Sequence, residues 1–173
     1  MILDTISRKI SRLENNKLKF AYRLMKVSGL RVSEVALLET QDLQFQENQL
    51  LVHVRHGKGG SNGVVTCLAD PYLVSKLKNY VADKSADDRL FYSASYMKEK
   101  AMKLGIECHD LRRISAITYH NQLRREGKSV EEADELTKQF LRHERFSTTK
   151  RYLYNRKLKL KASNKEEKGE GNG

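Results

Sequence analysis

The stretch LQFQENQLLVHVRHGKGGSNGVVTC, residues 43–67, decides how the rest of the chain is read. Its β-branched and alternating residues fall into three short runs, LQFQ, LLVHVR and GVVTC, with Glu47-Asn48 and GKGGSNG supplying turn residues between them. A period of two puts one face of each run on a core and the other in solvent. Three such runs joined by tight turns predict a three-stranded antiparallel meander.

Helical periodicity surrounds it. Upstream, Leu18, Tyr22, Leu24, Met25 and Val27 recur at helical spacing between Lys17 and Ser28, and Gly29 stands where helices commonly end in a left-handed residue. Val32, Val35, Ala36, Leu37 and Leu38 predict a second, short helix with Ser33 and Glu34 in its first turn, so Arg31 falls at a helix–helix junction. Downstream, Asp70-Pro71 reads as an N-cap followed by proline at the first helical position, opening a helix to Val81. Further helices are expected over 94–104, 110–126, 129–142 and 147–161, separated by Gly105, Gly127 and Glu144–Ser147. The expected class is α+β, mainly α-helical with a small three-stranded antiparallel β-sheet. One domain should cover residues 1–162, with the polar tail 163–173, SNKEEKGEGNG, disordered.

The 173 residues suit a single core, and 33 Lys and Arg against 22 Asp and Glu give a net charge of +11. With a pI of about 9.6, a polyanionic partner is the leading idea, although a solvated basic surface has the same charge. Cys67 and Cys108 are far apart and lack metal spacing, which points to a reducing cytoplasm with neither disulfide nor zinc. His53 and His56 form an HxxH pair in a strand-to-turn segment with no third ligand nearby, and read as surface histidines. No apolar run approaches the roughly 20 residues that span a bilayer, and the N-terminus lacks the apolar stretch of a signal peptide. A cytoplasmic protein without a membrane partner is expected.

Four separated segments carry the residue types that phosphoryl transfer to a protein side chain needs: SGLRVSE (28–34), HGKGG (56–60), HDLRR (109–113) and LRHERFSTTKRYLY (141–154). Singly, Arg31, Lys58 and Arg113 are ordinary surface charges, and a tyrosine is ordinarily a packing residue. His109 alone could cap a helix, and His143 alone could be a core histidine. Jointly, in this order on a basic chain, they point to one reaction.

Together the segments resemble the conserved boxes of the tyrosine recombinase (phage integrase) family, in the same order and over nearly the whole chain. Gly29-Leu30-Arg31-Val32-Ser33-Glu34 is similar to the first box, which implies that Arg31 is the first catalytic arginine and Glu34 the acid that supports the site. Lys58, in Gly57-Lys58-Gly59-Gly60, matches the β-hairpin lysine and is the candidate general acid. Ser61-Asn62-Gly63 follow it where many relatives have more basic residues. His109-Asp110-Leu111-Arg112 resembles the HxxR box, and one helical turn brings its two ends to one face. Arg113 then points about 100° away, toward the surface or a DNA backbone. Leu141-Arg142-His143 through Thr148-Thr149 to Tyr152 resembles the Leu-Gly-His box with its nucleophile, which assigns His143 and Tyr152. Arg142 replaces a glycine whose dihedrals arginine avoids. Tyr154 is the rival nucleophile; its spacing from the threonine pair disfavours it, and two helical positions turn it about 200° from Tyr152. Arg55, Arg113, Lys150 and Arg151 are the candidate DNA-binding residues.

The resemblance implies the fold of DNA breaking–rejoining enzymes, a double-stranded DNA partner, a monomer that becomes a homotetramer on DNA, and no cofactor or metal. Only about one phenol in a thousand is ionised at pH 7, so the nucleophile needs a proton acceptor, for which His109 is the candidate. Arg31 and Arg112 would stabilise charge on the phosphate, Lys58 would protonate the departing 5′-hydroxyl, and His143 would donate a hydrogen bond to the phosphate. The 3′-phosphotyrosine product keeps the phosphodiester's energy, so rejoining needs no ATP. A type IB topoisomerase resembles this pattern too, but the box spacing favours a recombinase. A noncatalytic DNA-binding module of the same fold is the alternative from another class. The family's N-terminal core-binding domain is expected to be absent, and the lysine-rich stretch Asn155–Lys161 to pack on its own domain or reach a neighbouring protomer.

Overall fold

The computed structural model describes residues 2–57 and 62–155. The expected meander is there. Strands β1 (Leu43–Gln46), β2 (Gln49–Val54) and β3 (Gly63–Thr66) pair antiparallel in the order β1-β2-β3, with Leu43 opposite Val52 and Val52 opposite Val65. Leu50, Val52 and Val54 are buried while their neighbours face outward, the two-residue alternation seen in the sequence. On the outer face His53 Nε2 lies 2.9 Å from Gln44 Oε1.

The α-helices are α1 (Ile2–Ser11), α2 (Asn16–Ser28), α3 (Val32–Ala36), α4 (Pro71–Val81), α5 (Ala94–Lys103), α6 (Cys108–Arg125), α7 (Val130–Phe140) and α8 (Phe146–Lys150), which runs into a π-helical turn at Arg151–Asn155. Asp70 caps α4 by accepting from Leu73 N at 3.1 Å, and the same carboxylate accepts from Arg23 Nη2 at 2.8 Å, tying α4 to α2. Tyr22 Oη donates to Met97 O at 2.7 Å and joins α2 to α5. Among the described residues, no helix is long and apolar enough to cross a membrane.

Two expectations change. No helix was expected before Lys17, yet α1 forms, because Ile6 and Ile10 stand one helical turn apart and both enter the core at 1% exposure. The expected helix over 147–161 begins at Phe146 but changes to π-helix at Arg151; its remainder, the Asn155–Lys161 packing alternatives and the tail 163–173 fall outside the described residues, wholly or, at Asn155, for the side chain. Lys58, between β2 and β3 in the sequence, also lies outside them.

Helix α6 is central. It packs against α2, α5 and α7 and against the π-helical turn, so every residue from Asp110 to Ala116 is buried. A smaller cluster of Ala116, Leu141 and Tyr152, with Phe140 and Leu153 against it, sits beside the main core and anchors the C-terminal turn.

Candidate active site

Four chain segments meet at the N-terminal half of α6: the α2–α3 junction, α6 itself, the end of α7, and the α8–π-helix segment. Gly29 ends α2 with φ 68°, its N–H donating to Met25 O at 3.1 Å, as the sequence suggested. Its carbonyl accepts from Arg112 Nη1 at 2.5 Å. A Cβ on Gly29 would stand 2.9 Å from Leu141 Cδ2 and 3.0 Å from Ser115 Oγ. Gly29→Ala therefore combines left-handed strain with overpacking, and we expect a loss of about 2 kcal/mol or more in urea unfolding. An unchanged unfolding midpoint would contradict this account of the junction.

Arg112 is 1% exposed. Besides Gly29 O, it donates from Nη2 to Leu141 O at 2.6 Å and to His143 Nε2 at 3.0 Å, and its Nη1 is 3.9 Å from Glu34 Oε1. Burial, then the neighbouring charge of Arg31, pulls its pKa down to about 10, which leaves it charged at neutral pH. These contacts join the α2 end, the α7 end and α3 through one guanidinium.

The same contacts determine the state of His143. Guanidinium has no acceptor, so His143 Nε2 must offer its lone pair to Arg112, and the ring proton sits on Nδ1, donated to Thr149 Oγ1 at 2.8 Å. Burial, followed by Arg112 and Arg31, pushes its pKa down to about 3, so it is neutral. The expected hydrogen bond from His143 to a phosphate is thus not available here: one nitrogen accepts from Arg112 and the other donates to Thr149. His143 instead orients Arg112. Because the unfolded chain protonates histidine near 6.5 and the folded one only near 3, this contribution to stability is complete above 6.5 and is lost as pH falls toward 3. Urea midpoints measured between about pH 7 and about pH 4 should fall more steeply for the wild type than for His143→Gln. Parallel slopes would contradict the neutral, buried imidazole.

Arg31 is the N-cap of α3, and Glu34 reaches back to accept its backbone N–H at 2.9 Å. Arg142 follows the end of α7 with φ 57°. Arg142 N donates to Gln139 O at 3.0 Å and His143 N to Lys138 O at 3.1 Å, a Schellman closure in which Arg142 holds the position usually given to glycine. Left-handed backbone costs a residue with a side chain about 1 kcal/mol. Its guanidinium Nη2 meets both oxygens of Glu34, at 2.6 and 2.7 Å.

Tyr152 is 8% exposed; its ring centre lies 4.9 Å from that of His109 and 5.1 Å from that of His143, both edge-to-face, with the Arg112 guanidinium carbon 6.0 Å away. Tyr154 goes elsewhere. Its hydroxyl donates to Asp134 Oδ1 at 2.6 Å, 3.4 Å from His120 Nε2, and partial burial followed by Asp134 raises its pKa to about 12. The structure therefore brings Arg31, His109, Arg112, His143 and Tyr152 together and sets Tyr154 apart.

The basic residues assigned to DNA fare unequally. Arg113 is 1% exposed, with Nη1 3.2 Å from Asp110 Oδ1, which corrects the expectation of a surface contact. The helical offset was sound, but α6 is buried on all sides there and has no surface face for Arg113 to occupy. Arg55 is exposed, yet its guanidinium binds Asp42 at 2.6 Å and also Glu39, bracing the base of the β2–β3 hairpin. Lys150 and Arg151 are exposed on the segment that carries Tyr152. Sequence reasoning missed Thr149 as the partner of His143; the Thr-Thr pair signalled it but served only to measure spacing.

The model of the phage integrase family matches residues 2–159. The tyrosine recombinase XerA of Saccharolobus solfataricus is 29% identical over 107 residues, covering 59% of this chain and 35% of that protein. A tyrosine recombinase of Pseudothermotoga lettingae is 29% identical over 157 residues, covering 82% of this chain and 51% of that one. The solved structure of a lambda integrase tetramer bound to a Holliday junction superposes with a TM-score of 0.66 at 16% identity, over 90% of this chain and 47% of that chain. The chain thus spans about half or less of the length of these relatives.

Proposed function

The chain belongs to the phage integrase family and has the tyrosine recombinase catalytic-domain fold, and on that premise we propose that it is a site-specific DNA recombinase acting through a 3′-phosphotyrosine intermediate. One observation carries the reading: Tyr152 is held against Arg112, His109 and His143, beside buried guanidinium nitrogens that make no hydrogen bond among the described residues. Arg31 Nη1 and Arg112 Nε are buried without a hydrogen-bond partner among the described residues. Each such donor costs about 1–3 kcal/mol when left unmade, and the nonbridging oxygens of a phosphate would satisfy them.

In this reading Tyr152 Oη attacks phosphorus and its proton passes to His109, which is exposed beside it. Arg31 and Arg112 meet the charge that develops on the phosphate oxygens, already oriented before the reaction begins. Neutral His143 holds Arg112 in place. Lys58 is assigned the proton for the departing 5′-hydroxyl, from the hairpin that Arg55 braces. The bond to Tyr152 keeps the energy of the phosphodiester, so a second DNA end can displace the tyrosine without ATP, and guanidinium charge serves where a metal ion would in other phosphoryl-transfer sites. The partner is double-stranded DNA, and a homotetramer is proposed for the assembly on it, as in the lambda integrase structure.

The test uses nicked duplexes drawn from random sequences selected for binding, incubated without divalent cation or ATP. A covalent protein–DNA adduct on a denaturing gel is expected. Salt-dependent binding with no adduct on any selected duplex would overturn the enzyme in favour of a binding module. Relaxation of supercoiled plasmid without strand transfer would instead favour a topoisomerase.

A further inference from the structure

The departure from glycine at Arg142 is coupled to the acid of the first box. We infer that Arg142 is a positioning residue that neutralises Glu34 and so leaves the charges of Arg31 and Arg112 uncompensated for a phosphate; this rests on the phosphoryl-transfer reading above. Glu34 presents a carboxylate of 1% exposure to three guanidinium groups. Only Arg142 meets it at hydrogen-bond distance, 2.6 and 2.7 Å, whereas Arg31 Nη1 is 3.7 Å and Arg112 Nη1 3.9 Å away. Three positive groups and one negative leave a surplus of two positive charges. A phosphodiester carries one negative charge, and its five-coordinate transition state carries two.

Removing the Arg142 guanidinium leaves Glu34 facing Arg31 and Arg112 alone, with a surplus of one. In a pocket this buried, where screening is weak, the carboxylate would then draw Arg112 Nη1 from Gly29 O and compete directly with the substrate oxygens. The backbone supports the assignment. Arg142 keeps φ 57° where glycine would be at ease, and a side chain persists in that region only when its surroundings hold it. The hold is an ion pair between residues 108 apart in sequence.

Arg142→Gly separates this role from simple stapling of α7 to α3, because glycine relieves the backbone while deleting the charge. The full chain, Arg142→Gly, and Arg142→Gly with Glu34→Gln are compared by single-turnover adduct formation on a nicked duplex, by orthovanadate affinity from calorimetry, and by melting temperature. The amide introduced by Glu34→Gln would keep an acceptor for the Arg31 N–H while removing the charge that Arg142 neutralises. Expected is a folded Arg142→Gly protein whose adduct rate and orthovanadate affinity each fall about tenfold or more, with most of both losses restored by adding Glu34→Gln. Wild-type orthovanadate affinity in Arg142→Gly, or a loss that Glu34→Gln does not restore, would overturn the inference. If the wild-type chain forms no adduct, the phosphoryl-transfer reading fails, and the orthovanadate series alone decides the role of Arg142.

Discussion

Tyr152→Phe is expected to form no covalent adduct with DNA, a loss of about a thousandfold or more, while keeping nearly the wild-type melting temperature. Phenylalanine retains the ring that packs with Ala116 and Leu141 and stands edge-on to His109 and His143, so only the oxygen that would bond to phosphorus is lost. A conventional packing role predicts the opposite: little change in chemistry for so small a substitution. Tyr154→Phe is the control. Its hydroxyl is engaged by Asp134, so its removal should cost about 1 kcal/mol of stability and leave adduct formation within about threefold of wild type. An adduct that survives Tyr152→Phe and disappears in Tyr154→Phe would transfer the nucleophile to the other tyrosine.

Local features were the legible ones. The alternation of Leu50, Val52 and Val54 and the left-handed end of α2 at Gly29 follow from neighbours within a few residues, and both stand in the fold as read. Helix α1 is equally local: Leu3, Ile6, Ile10 and Leu13 recur at helical spacing, and all four meet the core. What sequence spacing does not carry is the surroundings that tertiary packing supplies. Arg113 has the expected angle on its helix, but α6 is enclosed, and the angle alone says nothing of what covers it. His143 was recognised as a site residue, whereas its proton is placed by Arg112 and Thr149, one of them distant in sequence and the other six residues away. In the sequence Arg142 shows only as a departure from glycine, because the partner that holds it, Glu34, is 108 residues away.

Arg112→Ala should destabilise the fold by about 3–5 kcal/mol as well as abolish adduct formation. The stability loss follows from what Arg112 satisfies: the carbonyls of Gly29 and Leu141 and the Nε2 lone pair of His143 all accept from it inside the protein. With alanine there, three buried acceptors lose their donor, at about 1–3 kcal/mol each, and a cavity opens where the side chain lay. Relief of repulsion from Arg31 offsets part of this, which places the net in the lower part of the sum. Arg112→Lys separates architecture from chemistry. An ammonium keeps the charge and can reach one carbonyl, but cannot span Gly29 O and Leu141 O as the planar fork does, so part of the stability returns while adduct formation stays about a hundredfold down. Urea unfolding and single-turnover cleavage read the two effects separately. Wild-type stability in Arg112→Ala would mean that the α2 and α7 ends hold their places without the guanidinium, and the proposed preorganisation of the phosphate site would fail with it.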